Sequence, residues 1–150
     1  MDEFDTDLWL VCRVQAQLCA LPLERVVETL RPLPIEPVAG GPAFVLGLAV
    51  IRGAPLPVVD TARLLGAQHE RAERFVVVEV DGRRIALAVG SVLGVRTVPR
   101  GSLHALPPLL LDADTEVIAA VGRLDAELLL VLRSARLLPD AMALAAEQLS

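Results

Sequence analysis

The sequence contains no lysine and no tyrosine, and aromatic residues make up only 3% of the chain. Apart from two histidines, every basic residue is an arginine, and the formal net charge is −5. Proteins that bind nucleic acid usually carry a basic patch for the phosphates or aromatic side chains that stack on the bases. The arginines form no cluster in the sequence, so we expect no nucleic-acid partner.

Long apolar runs are also missing, although hydrophobic residues make up 54% of the chain and the mean hydropathy is +0.56. The longest run, Phe44 to Ile51, is interrupted by Gly47 and is far shorter than the roughly 18 residues of a membrane span. The first residues are acidic, which is not typical of a signal peptide. These features predict a cytoplasmic protein without direct membrane insertion, with its excess apolar residues in a core or in a patch that binds a partner.

Few side chains could support catalysis. The only histidines are His69 and His104, and neither has a further ligand at the spacing of a metal-binding motif. A Ser-His-Asp set would have to combine Ser91 or Ser102 with His104 and Asp60, but the Gly-x-Ser-x-Gly turn is absent. We therefore expect no enzyme, no metal site and no cofactor.

One acidic segment, Asp112-x-Asp114-x-Glu116, resembles the start of a calcium-binding loop. The sixth position is Val117, where that loop requires glycine, and no bidentate acid follows at the right place. A solvated acidic loop is the simpler interpretation.

The two cysteines are Cys12 and Cys19. If Gln15-Ala16 forms a two-residue turn, these cysteines lie opposite each other on paired strands. They could then form a disulfide, or they could be buried thiols that pack as small hydrophobic groups. Because nothing marks the chain as secreted, the sequence favours free thiols.

Many short apolar segments alternate with turns, which predicts a mainly β fold of the barrel or sandwich type without a repeat of 20 to 50 residues. The predicted strands are Leu8–Val14, Leu18–Leu21, Phe44–Arg52, Leu56–Asp60, Phe75–Val80, Arg84–Val89, Val92–Val98, Glu116–Arg123 and Leu128–Arg133. The predicted helical segments are Leu23–Leu30, Thr61–Leu65, Ala135–Leu138 and Asp140–Leu149. The proline-rich stretch from Pro32 to Pro42, which lies between the segments Leu23–Leu30 and Phe44–Arg52, is expected to be extended and irregular.

Arg52 ends an apolar strand and precedes Gly53. A charged side chain at this place either projects from a well-held position or is a turn residue exposed by chance. The local pattern alone supports both interpretations equally.

The segment Phe44-Val45-Leu46-Gly47-Leu48-Ala49-Val50-Ile51-Arg52-Gly53-Ala54-Pro55-Leu56-Pro57-Val58-Val59-Asp60 closely resembles the signature of CheW-like proteins. Leu23 to Glu28 looks like the family's short helix ending in valine-x-glutamate, and Pro42-Ala43-Phe44 like its proline-x-phenylalanine entry. Later apolar segments look like the family's last strands. The resemblance spans about residues 8 to 140, and its central motif is fairly specific.

The resemblance implies two small five-stranded SH3-like barrels that share a core, with short helices and a C-terminal helix. It implies a non-enzymatic adaptor that joins the regulatory domain of a CheA-type histidine kinase to the cytoplasmic tip of methyl-accepting chemoreceptors, within receptor arrays. The predicted partner-binding residues are Val26, Val27, Glu28, Arg52, Gly53 and Phe75. We expect a tail over residues 1–7, the domain over 8–140 and the end of a helix over 141–150.

The sequence also departs from the family pattern. Val50 stands where asparagine is usual, and Gly90 where an aspartate often follows the strand. These differences keep two alternatives open. The chain is a divergent paralogue in a pilus, gliding or other kinase pathway, or it is an unrelated β module that acts by self-association.

Overall fold

The computed structural model describes residues 7–106 and 117–133. These residues form ten strands, one helical turn and two turns of 3₁₀ helix. The strands are β1 (Leu8–Val14), β2 (Gln17–Pro22), β3 (Val26–Leu30), β4 (Val45–Ile51), β5 (Ala54–Asp60), β6 (Arg74–Val80), β7 (Arg83–Val89), β8 (Ser91–Thr97), β9 (Ile118–Leu124) and β10 (Glu127–Leu132). The α-helical turn α1 is Thr61–Leu64, and the 3₁₀ turns are Leu23–Arg25 and Arg100–Ser102.

The strands form two five-stranded sheets, each the framework of one lobe. Side by side, the first sheet has the order β8-β1-β2-β10-β9 and the second β3-β6-β7-β5-β4. One neighbouring pair in each sheet is parallel, β2 with β10 and β5 with β7. The mainly β fold with two five-stranded lobes is therefore confirmed. The sheets are consistent with SH3-like barrels, but within the described residues no ladder of hydrogen bonds closes either sheet between its outer strands.

The central strands of both sheets are buried on both faces. Alternate side chains such as Leu10 of β1 and Val76 of β6 belong to one apolar cluster that is shared by the two lobes. The intervening side chains fill each lobe separately, with Trp9 in the first lobe and Phe75 in the second. Strands covered on both faces need apolar residues at nearly every position. The shared core is thus confirmed, and it explains the high mean hydropathy of the chain.

The two sheets are equivalent to each other, although the sequence shows no repeat. Strands β3, β4, β5, β6 and β7 correspond in pairing and direction to β8, β9, β10, β1 and β2. Even the irregularities match, because β3 and β8 each carry one extra residue, Val27 and Leu93. The first sheet takes its β1–β2 hairpin from the start of the chain. This permuted order conceals the equivalence in the sequence.

The predicted helix Leu23–Leu30 is wrong beyond its first turn. Residues Leu23–Arg25 form a 3₁₀ turn, and Val26–Leu30 is the edge strand β3. The β-branched residues Val26, Val27 and Thr29 favour an extended chain. The turn predicted at Gly53-Ala54-Pro55 lies one residue earlier, at Arg52-Gly53, because Ile51 pairs with Ala54.

Most other predicted elements are confirmed among the described residues, including the hairpin around Asp81-Gly82 and the helical turn after Asp60 that Gly66 closes with a φ of +84°. The predicted helices Ala135–Leu138 and Asp140–Leu149, and the acidic segment from Asp112 to Glu116, lie outside the described residues.

Cys12 of β1 lies directly opposite Cys19 of β2, as the hairpin interpretation predicted. Both side chains are buried and both thiols are free. Burial raises the pKa of each thiol to about 12. The interpretation as buried thiols is therefore confirmed.

Candidate partner-binding surface

The turn between β4 and β5 places Arg52 at the tip of a hairpin. Arg52 and Gly53 have φ angles of +54° and +81°, which is the backbone of a two-residue type I′ turn. The other hairpin turns begin with Gln15, Asp81 and Asp125, which also have positive φ angles. Asparagine, aspartate and glycine tolerate a positive φ, whereas a long side chain is disfavoured there. Arg52 therefore occupies a position that turn chemistry alone would not give to arginine.

The Arg52 guanidinium binds Glu28 of β3 with two hydrogen bonds. Its Nη2 donates to Glu28 Oε1 at 2.8 Å and its Nε donates to Oε2 at 3.1 Å. The side chain of Arg52 is 76% exposed and that of Glu28 is 22% exposed. The hydrogen bonds from Arg52 lower the pKa of Glu28, and the same bonds raise the pKa of Arg52. The pair is therefore charged and fixed in direction at neutral pH, with the guanidinium open to a partner.

This ion pair joins the two outer strands of the second sheet. Glu28 is on β3 and Arg52 follows β4, and these strands lie at opposite ends of the strand order. The pair therefore bridges the gap at which the sheet is not hydrogen-bonded to itself.

Exposed apolar side chains flank the ion pair in sequence. Val27, the extra residue of β3, is 39% exposed, and Val50 of β4 is 67% exposed. Gly53 faces open space. The surface thus combines one fixed charge pair with apolar area, which is the usual make-up of a protein-binding surface.

The structure brings four of the six predicted site residues to this surface, namely Val27, Glu28, Arg52 and Gly53. Val26 is only partly exposed and packs against the shared core. Phe75 is fully buried in the core of the second lobe, opposite Leu30 of β3. The prediction of Phe75 as a contact residue is therefore wrong, because its side chain faces into the lobe and not toward solvent.

Val50 was not predicted as a site residue. Its neighbours Ala49 and Ile51 are buried, so side-chain alternation along β4 turns Val50 outward. In the sequence, the signal was the position of Val50 between two residues that face the core. This signal predicts an exposed side chain only once the strand is known to have one face in solvent.

The motif's Asp60 has a structural role. Its carboxylate is buried, accepts the backbone N–H of Arg63 at 3.4 Å as the N-cap of α1, and lies 2.5 Å from Nδ1 of His69. His104 instead forms a backbone bridge with Val121, and Ser102 Oγ donates to the carbonyl of Pro99. The structure therefore does not assemble the Ser-His-Asp set considered above. Within residues 7–106 and 117–133, no three metal-binding side chains cluster.

Gly47 of the motif is required by a close crossing of the chain. A Cβ at Gly47 would lie 2.1 Å from the carbonyl oxygen of Glu36, which pairs with Leu48 through two backbone hydrogen bonds. Pro57 cannot donate a hydrogen bond, and the parallel pairing of β5 with β7 begins only at Val58. These residues shape the hairpin that carries Arg52.

A family model described as the CheW-like domain matches residues 8–142 of this chain. The chain belongs to the CheW-like domain family. Proteins of this family are non-enzymatic scaffold or adaptor proteins, so the CheW-like domain described here is not an enzyme. None of the helices in the described part of the chain has the length and apolar character needed to cross a bilayer.

Two curated relatives resemble the CheW-like domain in sequence. The chemotaxis protein CheW of Rhizobium meliloti (strain 1021) is 32% identical over 98 residues, and protein FrzA of Myxococcus xanthus is 35% identical over 104 residues. The aligned parts cover 61% and 67% of this chain. They cover 63% and 64% of the relatives, so the matches span less than two thirds of either relative's length.

A solved structure has the same fold. The scaffolding protein TtCheW from Thermoanaerobacter tengcongensis superposes with a TM-score of 0.76 at 22% sequence identity. The match covers 85% of this chain and 89% of that chain. The lobes and their order are therefore those of a known CheW scaffold.

Proposed function

We propose that this CheW-like domain is an adaptor that couples chemoreceptors to a CheA-type histidine kinase in bacterial signal transduction. Its partners are the regulatory domain of the kinase and the cytoplasmic tip of methyl-accepting chemoreceptors, and it acts in the cytoplasm within receptor arrays. Residues 8–140 form the functional unit. The family assignment supports this proposal, as do a relative named as a chemotaxis protein and a neighbour titled a scaffolding protein.

The single observation that carries the proposal is the state of Arg52. An arginine is kept in a turn conformation that disfavours it, while Glu28 fixes its guanidinium and leaves it largely exposed. Strained backbone positions of this kind are frequent at functional sites. Arginine is also among the residues that most often anchor protein interfaces. Val27 and Val50 add apolar area, and the charges set the register of the partner.

Calorimetric titration of the chain into the regulatory domain of a CheA-type kinase from the same organism tests this proposal. We expect micromolar or tighter binding and a loss of binding in Arg52→Glu, because reversal of the charge breaks the pair with Glu28 and repels an acidic partner group. The matched control is Arg123→Glu, the same substitution at an exposed arginine on β9 of the other lobe. This control should bind as the unmodified chain does.

Two further variants separate binding from folding. Arg52→Asn removes the charge but suits the type I′ turn, so its unfolding midpoint should stay equal or rise while binding is lost. The double variant Glu28→Arg with Arg52→Glu restores an ion pair of reversed direction and should stay unable to bind. Unchanged binding by a folded Arg52→Glu variant would contradict the role of Arg52. Absence of binding to every such kinase of the organism would contradict the adaptor function.

Two other functions are supported by specific observations, namely self-association and a role in a kinase pathway other than flagellar chemotaxis. The other pathway is favoured by the relative FrzA, whose name does not refer to chemotaxis. Self-association is favoured by an equivalent surface on the first lobe, where Asp125 occupies the turn position of Arg52 and binds Arg96 of β8 at 3.1 Å. Leu93 and Val95 of β8 are exposed beside it, at 44% and 51%.

The two surfaces carry opposite charges at their turn tips, Arg52 on one and Asp125 on the other, which suits a head-to-tail contact between copies. Sedimentation velocity over a range of concentrations tests this candidate. Self-association predicts a concentration-dependent oligomer that Asp125→Arg weakens. A monomer at all concentrations would contradict it and leave the kinase titration as the deciding measurement.

A further inference from the structure

An open cleft lies where the second lobe meets the β1–β2 turn of the first. Its volume is about 730 Å³. It is lined by the residues that follow β3, by the loop before β6 and by the link between β7 and β8. The lining residues that carry charge are Arg31, Glu70, Arg71, Glu73 and Arg74. Three arginines from two separate segments therefore line one concave surface.

These three arginines differ from most others in the molecule. Arg13, Arg52, Arg84 and Arg96, for example, each form an ion pair with a carboxylate at 3.1 Å or less. Within the described ranges, no carboxylate pairs with the side chain of Arg31, Arg71 or Arg74. The cleft is therefore lined by three arginines and two glutamates, in a chain whose net charge is −5.

One acidic residue of the cleft is already engaged. Both carboxylate oxygens of Glu70 accept the backbone N–H of Gln15 at 3.1 Å, which ties the loop to the turn of the first lobe. Gly90 makes room for this contact, because a Cβ there would lie 2.9 Å from Glu70 Oε2 and 3.0 Å from the carbonyl oxygen of Arg13. The glycine that departs from the family pattern thus allows Glu70 to form one wall of the cleft. Glu73 is the second acid of the lining, beside the three arginines.

We propose that this cleft binds an acidic peptide segment of a protein partner through the carboxylates of that segment. Guanidinium groups bind carboxylates with paired, directional hydrogen bonds. Pockets for small molecules are mostly enclosed and lined by apolar and aromatic side chains. This cleft is open, and its apolar lining consists of small residues such as Pro32 and Ala72. It shares no residue with the Glu28–Arg52 surface, so the inference goes beyond the proposed kinase contact and does not depend on it.

Fluorescence anisotropy of labelled hexaglutamate with the full chain at low ionic strength tests the inference. We expect saturable binding that weakens as salt is added, because the contacts are exposed and electrostatic. The double variant Arg31→Glu with Arg74→Glu should weaken binding by about tenfold or more, a difference of about 1.4 kcal/mol. Both side chains are exposed, so the variant should fold, and its thermal transition verifies this.

Arg123→Glu is the matched control, because it makes the same charge change at an exposed arginine on the other lobe. It should leave hexaglutamate binding unchanged. Failure of the unmodified chain to bind hexaglutamate, or an equal loss in Arg123→Glu, would overturn the inference. Binding of inorganic pyrophosphate without binding of hexaglutamate would also overturn it and assign the cleft to a phosphate ligand.

Arg52→Glu separates this inference from the kinase contact. It should abolish kinase binding and leave hexaglutamate binding intact. Loss of both in a folded Arg52→Glu variant would show that the two surfaces are not independent and would overturn the assignment of a separate site.

Discussion

For Arg52, the sequence predicted the local backbone but not the partner of the side chain. Its place at the end of a strand and the glycine after it are both visible in the sequence. The contact with Glu28 is not, because Glu28 lies 24 residues earlier and on the opposite edge of the sheet. The two meet only because the second sheet curls. The sequence left open whether Arg52 projects from a well-held position or is exposed by chance. Its contact with Glu28 shows that the side chain is held.

The direction of the Phe75 side chain is not visible in the sequence for a related reason. The alternation of apolar and polar residues along a strand shows which side chains face the core only where one face of the strand is in water. Strand β6 is apolar on both faces, with Phe75 and Val77 in the lobe and Val76 and Val78 in the shared core. Its sequence therefore carries no alternation that could show which way Phe75 points.

The buried thiols give a prediction at the same scale. Because burial raises the pKa of Cys12 and Cys19 from 9.0 to about 12, both thiols stay protonated in the folded state at pH 8. We expect a disulfide reagent such as Ellman's reagent to react slowly with the native chain and at once with the urea-unfolded chain. Fast reaction of two thiols in the native state would contradict the burial.

The same shift sets a dependence of stability on pH. A folded-state pKa above the unfolded value favours the protonated thiol in the folded state, so this contribution is full below pH 9 and is lost as the pH rises from about 9 toward 12. Lysine and tyrosine, which would titrate in the same range, are absent. Urea unfolding at pH 7.5 and 10 should show lower stability at pH 10, and a Cys12→Ala, Cys19→Ala variant should show a smaller decrease.

Among the elements, hairpins were more predictable than bulged edge strands. Asp81-Gly82 identified the β6–β7 hairpin because this dipeptide suits a type I′ turn. Strand β3 was mistaken for a helix because Leu23, Val26, Val27 and Leu30 recur at helical spacing. The extra residue Val27 shifts the strand's alternation by one and produces the same spacing. Pattern alone could not distinguish the two structures.

The crossing at Gly47 yields a prediction for strand β4. In Gly47→Ala, the new methyl group meets the Glu36 carbonyl, and the backbone φ of +141° is unfavourable for alanine. We expect a loss of stability of about 3 kcal/mol or more, measured by urea unfolding. Gly41→Ala is the control, because its Cβ would have only an ordinary contact with Val45 at 3.8 Å. Equal effects of the two substitutions would refute the importance of the crossing.

For the whole molecule, the resemblance predicted the two lobes and their shared core. It could not reveal that the sheets are equivalent, since the equivalent residues Trp9 and Phe75 belong to segments in permuted order. The equivalence lies in pairing and register, and these depend on contacts between distant parts of the chain. Such contacts leave no local pattern.

The shared core predicts that the lobes unfold together. Trp9 is the only tryptophan and lies in the first lobe, while Phe75 lies in the second. Phe75→Ala leaves a cavity that should cost about 3–5 kcal/mol. We expect the tryptophan fluorescence transition in urea to shift to lower concentration together with the circular dichroism transition. A fluorescence transition that stays in place would show that the lobes unfold independently.

The interwoven order of the strands also has a consequence for the nascent chain. The five strands of the second lobe come from one continuous stretch, β3 to β7, and can pair as soon as that stretch leaves the ribosome, although their shared core is completed only with the first lobe. The β1–β2 hairpin is made first, but its neighbours β8 and β10 are made last. Trp9 and Leu21 are therefore synthesised early and buried late. While the strands from β3 to β7 are being made, the β1–β2 hairpin is the part of this domain in greatest need of a chaperone.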